Sequence, residues 1–159
     1  MGGAHWPTPH TPNQKMFTKA KYAEHLHKKN SEYLGFIPRS RLEEYESEGR
    51  IVLAHENNDP CGYLIYGSNW PLLNIYQACI DYDVRRKHHG ENIVKEVEDY
   101  AADKHSGIYL RCRENLEAND FWKALGYTIE RVEQGGLRRN KKINVWVKRF
   151  LDPMQLSLF

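Results

Sequence analysis

Long apolar runs are missing from this 159-residue sequence; none approaches the roughly 20 residues that span a bilayer. The N-terminus has no charged start followed by an apolar stretch, so no secretory leader is expected and the chain reads as cytoplasmic. Cysteine is scarce. Cys61, Cys79 and Cys112 are odd in number, widely spaced and without a CxxC pair, which argues against a disulfide framework and leaves buried thiols as the expectation. A charge excess of either sign is also missing: the net charge is +2, so the overall balance does not mark a nucleic-acid binder. Metal-ligand spacing is absent too. His25 with His27, and His88 with His89, have no third ligand at a suitable distance along the chain, and no metal is expected. What is present is 40% hydrophobic and 28% charged residues, ordinary for one soluble domain able to bury a core.

Residues 1–15 carry Pro, Gly, His and Thr without periodicity and read as a flexible tail. Residues 16–150 read as one domain, and 151–159 as a second tail. Helices are predicted over 19–29 and 39–48, with Pro38 in the first turn of the second and Gly49 ending it. Strands are predicted over 51–55 and 61–66, joined by a turn at Asn57, Asn58, Asp59 and Pro60. After a loop from Gly67 to Pro71, a third strand covers 73–81. A basic loop, 85–90, precedes a helix with Ile93, Val94, Val97, Tyr100 and Ala101 on one face. A strand over 108–112, a helix over 116–125 stopped by Gly126, and strands over 127–133 and 143–149 complete the order. This is an α+β pattern with a mixed sheet.

Chemistry concentrates at two strand-to-helix junctions. In the first, Arg85, Arg86 and Lys87 stand before His88, His89, Gly90, Glu91 and Asn92. Cations, a glycine and a helix start suit a pyrophosphate, because helix N-termini present unpaired N–H groups and a positive dipole end. The second runs Asn115, Ala118, Phe121, Trp122, Gly126, Tyr127. Together, in this order and one helix and one strand apart, they resemble the GNAT superfamily of N-acyltransferases, with its Q/R-x-x-G-x-G/A loop and its N-x-x-A-x-x-F-Y-x-x-x-G-F stretch.

The resemblance implies a mostly antiparallel sheet splayed at its centre, helices on both faces, and acetyl-CoA or another acyl-CoA as co-substrate. It implies that the amides of residues 86–90 hold the pyrophosphate, with Arg85, Glu91 and Asn92 beside them. Cys79 and Ile80 would face the pantetheine and thioester carbonyl, and Asn115, Phe121 and Trp122 the distal pantetheine arm. An amine would then attack the thioester directly, with the oxyanion stabilised by backbone donors. Two positions depart from the pattern. His88 replaces a loop glycine. Trp122 replaces the Tyr that in many members protonates the leaving thiolate, and an indole N–H is not a usable acid. Tyr76 and Tyr127, with Tyr82 and Tyr109, are candidates for that proton; Glu114, Asp81, Asp83 and His55 are candidates for a base.

The acceptor amine is left open. Arg138, Arg139, Lys141 and Lys142 crowd one hairpin tip, where they would protect an edge or contact DNA phosphates. The last five residues, Gln155, Leu156, Ser157, Leu158 and Phe159, resemble the pentapeptide with which bacterial replication proteins dock on the DNA sliding clamp. The alternatives are therefore a DNA-directed enzyme of phage type, active in a host cytoplasm, and a GNAT-like shell that binds without catalysing.

Overall fold

The computed structural model describes residues 17–84, 88–135 and 140–151. The two tails, Arg85, Arg86, Lys87, Arg138, Arg139 and the five clamp-like residues all lie outside these, except Leu151, which is exposed. The element order is α1 (Lys19–Lys29), α2 (Arg39–Ser47), β1 (Ile51–Glu56), β2 (Asp59–Asn69), β3 (Leu72–Ile80), a 3-10 turn (Tyr82–Val84), α3 (His89–Ala102), β4 (Gly107–Arg113), α4 (Ala118–Ala124), β5 (Thr128–Gly135) and β6 (Lys141–Arg149). Strand order in the six-stranded sheet is β1-β2-β3-β4-β6-β5. The hairpin β1–β2 and the pairs β4–β6 and β6–β5 are antiparallel, whereas β3 and β4 run parallel. The fold class is the α+β one expected.

The chain divides into two compact units: the described residues of 1–65 and 77–94, and those of 66–76 and 95–159. In the first, Thr18 caps α1 by accepting the Lys21 amide at 3.0 Å on its hydroxyl, satisfying one of the helix's orphan donors. One face of α1 buries Ala20, Tyr22, Ala23 and Leu26 against Leu42, Ile51, Tyr63, Ile65 and Cys79. A polar chain crosses this core. The Tyr63 hydroxyl donates to Gln77 Oε1 at 2.6 Å, and Gln77 Nε2 donates to the Gly35 carbonyl at 2.9 Å. His27 Nε2 donates to the same carbonyl at 2.8 Å. Both buried side chains thereby fix the segment joining α1 to α2.

In the second unit, side chains alternate across β4. Ile108, Leu110 and Cys112 are buried on one face, and Tyr109 packs with Val145, Val147 and Leu72 on the other. Burial pushes the Cys112 thiol up to about 11, because the thiolate would be stranded in apolar surroundings. All three cysteines are buried, and none is in a disulfide.

Two boundaries differ from expectation. The hairpin turn needs only Asn57 and Asn58, at φ +52° and +72°; two consecutive left-handed residues suit the right-handed twist of the strands, so Asp59 and Pro60 already belong to β2. The far end of β2 runs on through Gly67, read from sequence as loop. A Cβ at Gly67 would lie 2.0 Å from the Tyr76 hydroxyl. The glycine is there because the Tyr76 ring lies across the strand, not because the chain turns.

Candidate active site

The first junction is built from unit-one residues. Gly62 on β2 lets the backbone of β3 come close: a Cβ there would sit 2.8 Å from the Cys79 carbonyl oxygen and 2.4 Å from Ile80 Cδ1. The Cys61 carbonyl then takes the Asp81 amide at 2.7 Å, and the chain turns through Tyr82–Val84. His88 follows at φ +66°. A left-handed backbone costs an L-residue roughly 1–2 kcal/mol, and His is among the residue types that tolerate it. The position where the resemblance has glycine does demand a glycine-like conformation, and His88 adopts it.

The His88 carbonyl accepts the Asn92 amide at 3.0 Å. That is the first i→i−4 bond of α3, so the amides of His89, Gly90 and Glu91 have no intrahelical acceptor. The flanking side chains are tethered outward. His88 Nδ1 lies 3.3 Å from Glu91 Oε2 and His89 Nε2 lies 3.4 Å from Glu56 Oε1. Gly90, between His89 and Glu91, offers an amide and no side chain.

The second junction lies in the other unit. Asn119, unremarked in the sequence, is its hub. Its Nδ2 donates to the carbonyls of Arg113 and Leu116 at 2.8 Å and of Glu114 at 3.2 Å. Its Oδ1 accepts Trp146 Nε1 at 2.8 Å and Asn144 Nδ2 at 3.0 Å. The loop carrying Glu114 and Asn115 is thus fastened from inside, while both those residues are exposed. Only a polar residue in the first turn of α4 marks such a hub in sequence, and many surface residues look the same.

Trp122 is 5% exposed and meets Phe121 and Tyr127 edge-on, with ring centroids 4.9 and 5.3 Å away. It is a packing residue of α4. Tyr127 is 2% exposed; its hydroxyl donates to Glu98 Oε2 at 2.9 Å, and burial, then the Glu98 charge, raises its pKa above the usual range. Lys148 Nζ closes the arrangement onto Glu98 at 3.2 Å and onto the Leu125 carbonyl at 3.0 Å. Sequence placed Tyr127 among the candidate acids; its hydroxyl is buried and donates to Glu98. Tyr76 is 39% exposed and Glu114 lies on the surface. Among the alternative acids, Tyr109 is 8% exposed and its hydroxyl accepts Asn69 Nδ2 at 2.8 Å, while Tyr82 is exposed. Lys141 and Lys142 are exposed at the start of β6. Among the described residues, no three His, Cys, Asp or Glu side chains are placed to hold a metal, and no helix is long and apolar enough to cross a membrane.

Solved structures share this architecture. Ard1 from Thermoplasma volcanium superposes with a TM-score of 0.74 at 12% identity, over 86% of this chain and 95% of its own. The ribosomal-protein-S18-alanine N-acetyltransferase of Escherichia coli gives 0.67 at 12% identity, over 84% and 90%. A Bacillus anthracis protein assigned as a streptothricin acetyltransferase, solved with acetyl coenzyme A, gives 0.63 at 21% identity, over 69% and 68%. No curated protein matches the sequence. The fold is that of acyl-group transferases. More particularly, the chain belongs to the acetyltransferase (GNAT) family, whose profile matches residues 13–127, and is an enzyme of the N-acetyltransferase class.

Proposed function

We propose that residues 16–150 form one catalytic domain that transfers an acetyl group from acetyl-CoA to an amine. The observation that carries this reading is His88 in a left-handed turn directly before three amides of α3 that lack intrahelical acceptors. A diphosphate seats there on backbone donors, with the charges of Arg85, Arg86 and Lys87 close by in sequence. The amine attacks the thioester carbon; the N–C bond forms, the C–S bond breaks, and the thiolate takes up the proton that the amine loses. Tyr76 is the preferred donor of a proton to sulfur, and Glu114 the preferred acceptor from the amine. By family resemblance alone, backbone groups of Cys79 and Ile80 are assigned to the pantetheine, and Asn115, Phe121 and Trp122 to its distal arm.

Calorimetry with acetyl-CoA tests the reading. Gly90→Asp adds a carboxylate at the diphosphate position while suiting the first turn of a helix. It should abolish binding with the fold intact. Equal affinity in the variant, or no binding of any CoA ester by the natural chain, overturns it.

A second reading concerns where the enzyme works. The pentapeptide Gln155, Leu156, Ser157, Leu158, Phe159 supports docking on the bacterial sliding clamp, and Lys141 and Lys142, with Arg138 and Arg139, support contact with DNA. Removing residues 155–159 should then abolish clamp capture without changing thioester chemistry, and DNA binding should weaken steeply with salt. Unchanged capture after removal disposes of the clamp.

A further inference from the structure

A groove of about 160 Å3 opens on the second unit, lined by Leu72, Tyr109, Val145, Arg111, Arg131 and Glu130. Its size is below the ~300–1,000 Å3 of pockets for drug-sized molecules, so it takes a small molecule or one end of a larger one. Glu130 and Asn69 complete the lining, and apolar surface from Leu72, Val145 and the Tyr109 ring lies beside the guanidinium groups of Arg111 and Arg131. The sheet register explains their pairing. Arg111 on β4 and Arg131 on β5 are both opposite Val145 on β6, so the two cations rise from one sheet face on either side of one valine. The register shift between Ile129 and Arg131 makes Glu130 the extra residue and turns Arg131, in its stead, onto that face. Bulges commonly re-aim a side chain in this way.

Glu133 fixes both guanidinium groups from behind. Its Oε1 accepts Arg111 Nε at 2.9 Å and its Oε2 accepts Arg131 Nε at 2.9 Å. The Arg131 Nη1 also donates to Glu130 at 3.1 Å, and Arg149 Nη2 holds the other oxygen of Glu130 at 2.8 Å. Each guanidinium has five N–H donors, and the carboxylates take one from Arg111 and two from Arg131. Three arginines against two glutamates leave one positive charge in the cluster. Exposed ion pairs contribute little stability. Their evident effect here is orientation: the Nε of each arginine is engaged by Glu133, and Nη donors of both remain beside Leu72, Tyr109 and Val145.

We propose that this groove is a binding site for an anionic group, a carboxylate or phosphate, carried on a small apolar body. The anion bridges the Nη edges of Arg111 and Arg131, and the body rests on Leu72, Val145 and the Tyr109 ring. Anion binding stands independently of the acetyl-CoA reading, and only the assignment of the anion to the acceptor rests on it. The groove's ligand is either the anionic end of the acceptor amine or a free small anion.

The arginine Nε–Hε resonances of the full chain report on the site during titration with sodium glutarate, inorganic phosphate or uncharged glutaramide. Saturable shifts are expected with glutarate or phosphate and not with glutaramide. Arg131→Gln should weaken binding by about tenfold or more, and Arg131→Lys should not restore it, since lysine has no planar fork. Arg39→Gln, an exposed arginine of the other unit paired with Glu24, should leave affinity within about twofold. Acetyl-CoA binding by the same variants certifies the fold separately. Acetyl transfer to glutamate against glutamine then separates the sources: a preference for glutamate that Arg131→Gln removes through KM assigns the anion to the acceptor, and anion binding without that preference assigns it to a free ligand. No saturable shift with either anion, or undiminished binding in Arg131→Gln, overturns the proposal.

Discussion

Two tyrosines that look interchangeable in the sequence have different surroundings. Tyr76 is 39% exposed with its ring across Gly67, whereas Tyr127 is sealed behind Glu98 and Lys148. Tyr76→Phe should lower kcat by about 100-fold or more if its hydroxyl protonates the thiolate, the ordinary range of general acid catalysis. Tyr127→Phe should leave kcat unchanged and cost about 1 kcal/mol or more in urea denaturation, because Glu98 loses a buried donor. The reverse pattern would exchange their roles. Cys112 permits a similar test. Its thiol is shifted from 9.0 to about 11 by burial. The unfolded chain ionises first as pH rises, so this contribution to stability is whole below pH 9, falls between 9 and about 11, and is gone above. A thiol reagent at pH 8 should therefore label Cys112 only as fast as the protein opens.

At the scale of elements, most of the fold was readable because amphipathic periods and breakers agree: Pro38 at the start of α2, Gly49 after it, Gly126 after α4. Strand ends were less readable. Gly67 reads as a breaker, and only the Tyr76 ring, nine residues along the chain and reached by strand pairing, explains it as part of β2. The candidate site divides the same way. His88 and Gly90 were visible as a loop at a helix start, yet the left-handed turn that makes His88 serve as a glycine is a backbone property. Asn119 was not visible at all, since its meaning lies in five partners drawn from three elements. Asn119→Ala should cost about 2–4 kcal/mol in denaturant unfolding, well above the gain from alanine's helix propensity, by leaving the buried Trp146 and Asn144 donors unpaired. A cost below about 1 kcal/mol would show that water replaces the amide.

For the whole molecule, ligand binding and stability are one measurement. Acetyl-CoA at 100 times its dissociation constant should add about 2.7 kcal/mol to unfolding free energy by mass action, seen as a rise in the thermal midpoint that Gly90→Asp abolishes. Charge balance and composition gave no hint of the Arg111–Glu133–Arg131 row, because neither strand alone holds it. Two strands that never pair directly, and a bulge on one of them, bring these side chains together over β6.

The parallel ladder has a kinetic consequence. β3 and β4 share only four residue pairs, Leu72 with Gly107 through Ile75 with Leu110, while β4 and β6 share seven. Closing a long loop for so few bonds is entropically poor. This seam should knit last as the chain folds and exchange its amide hydrogens soonest once folded, well before β4 parts from β6.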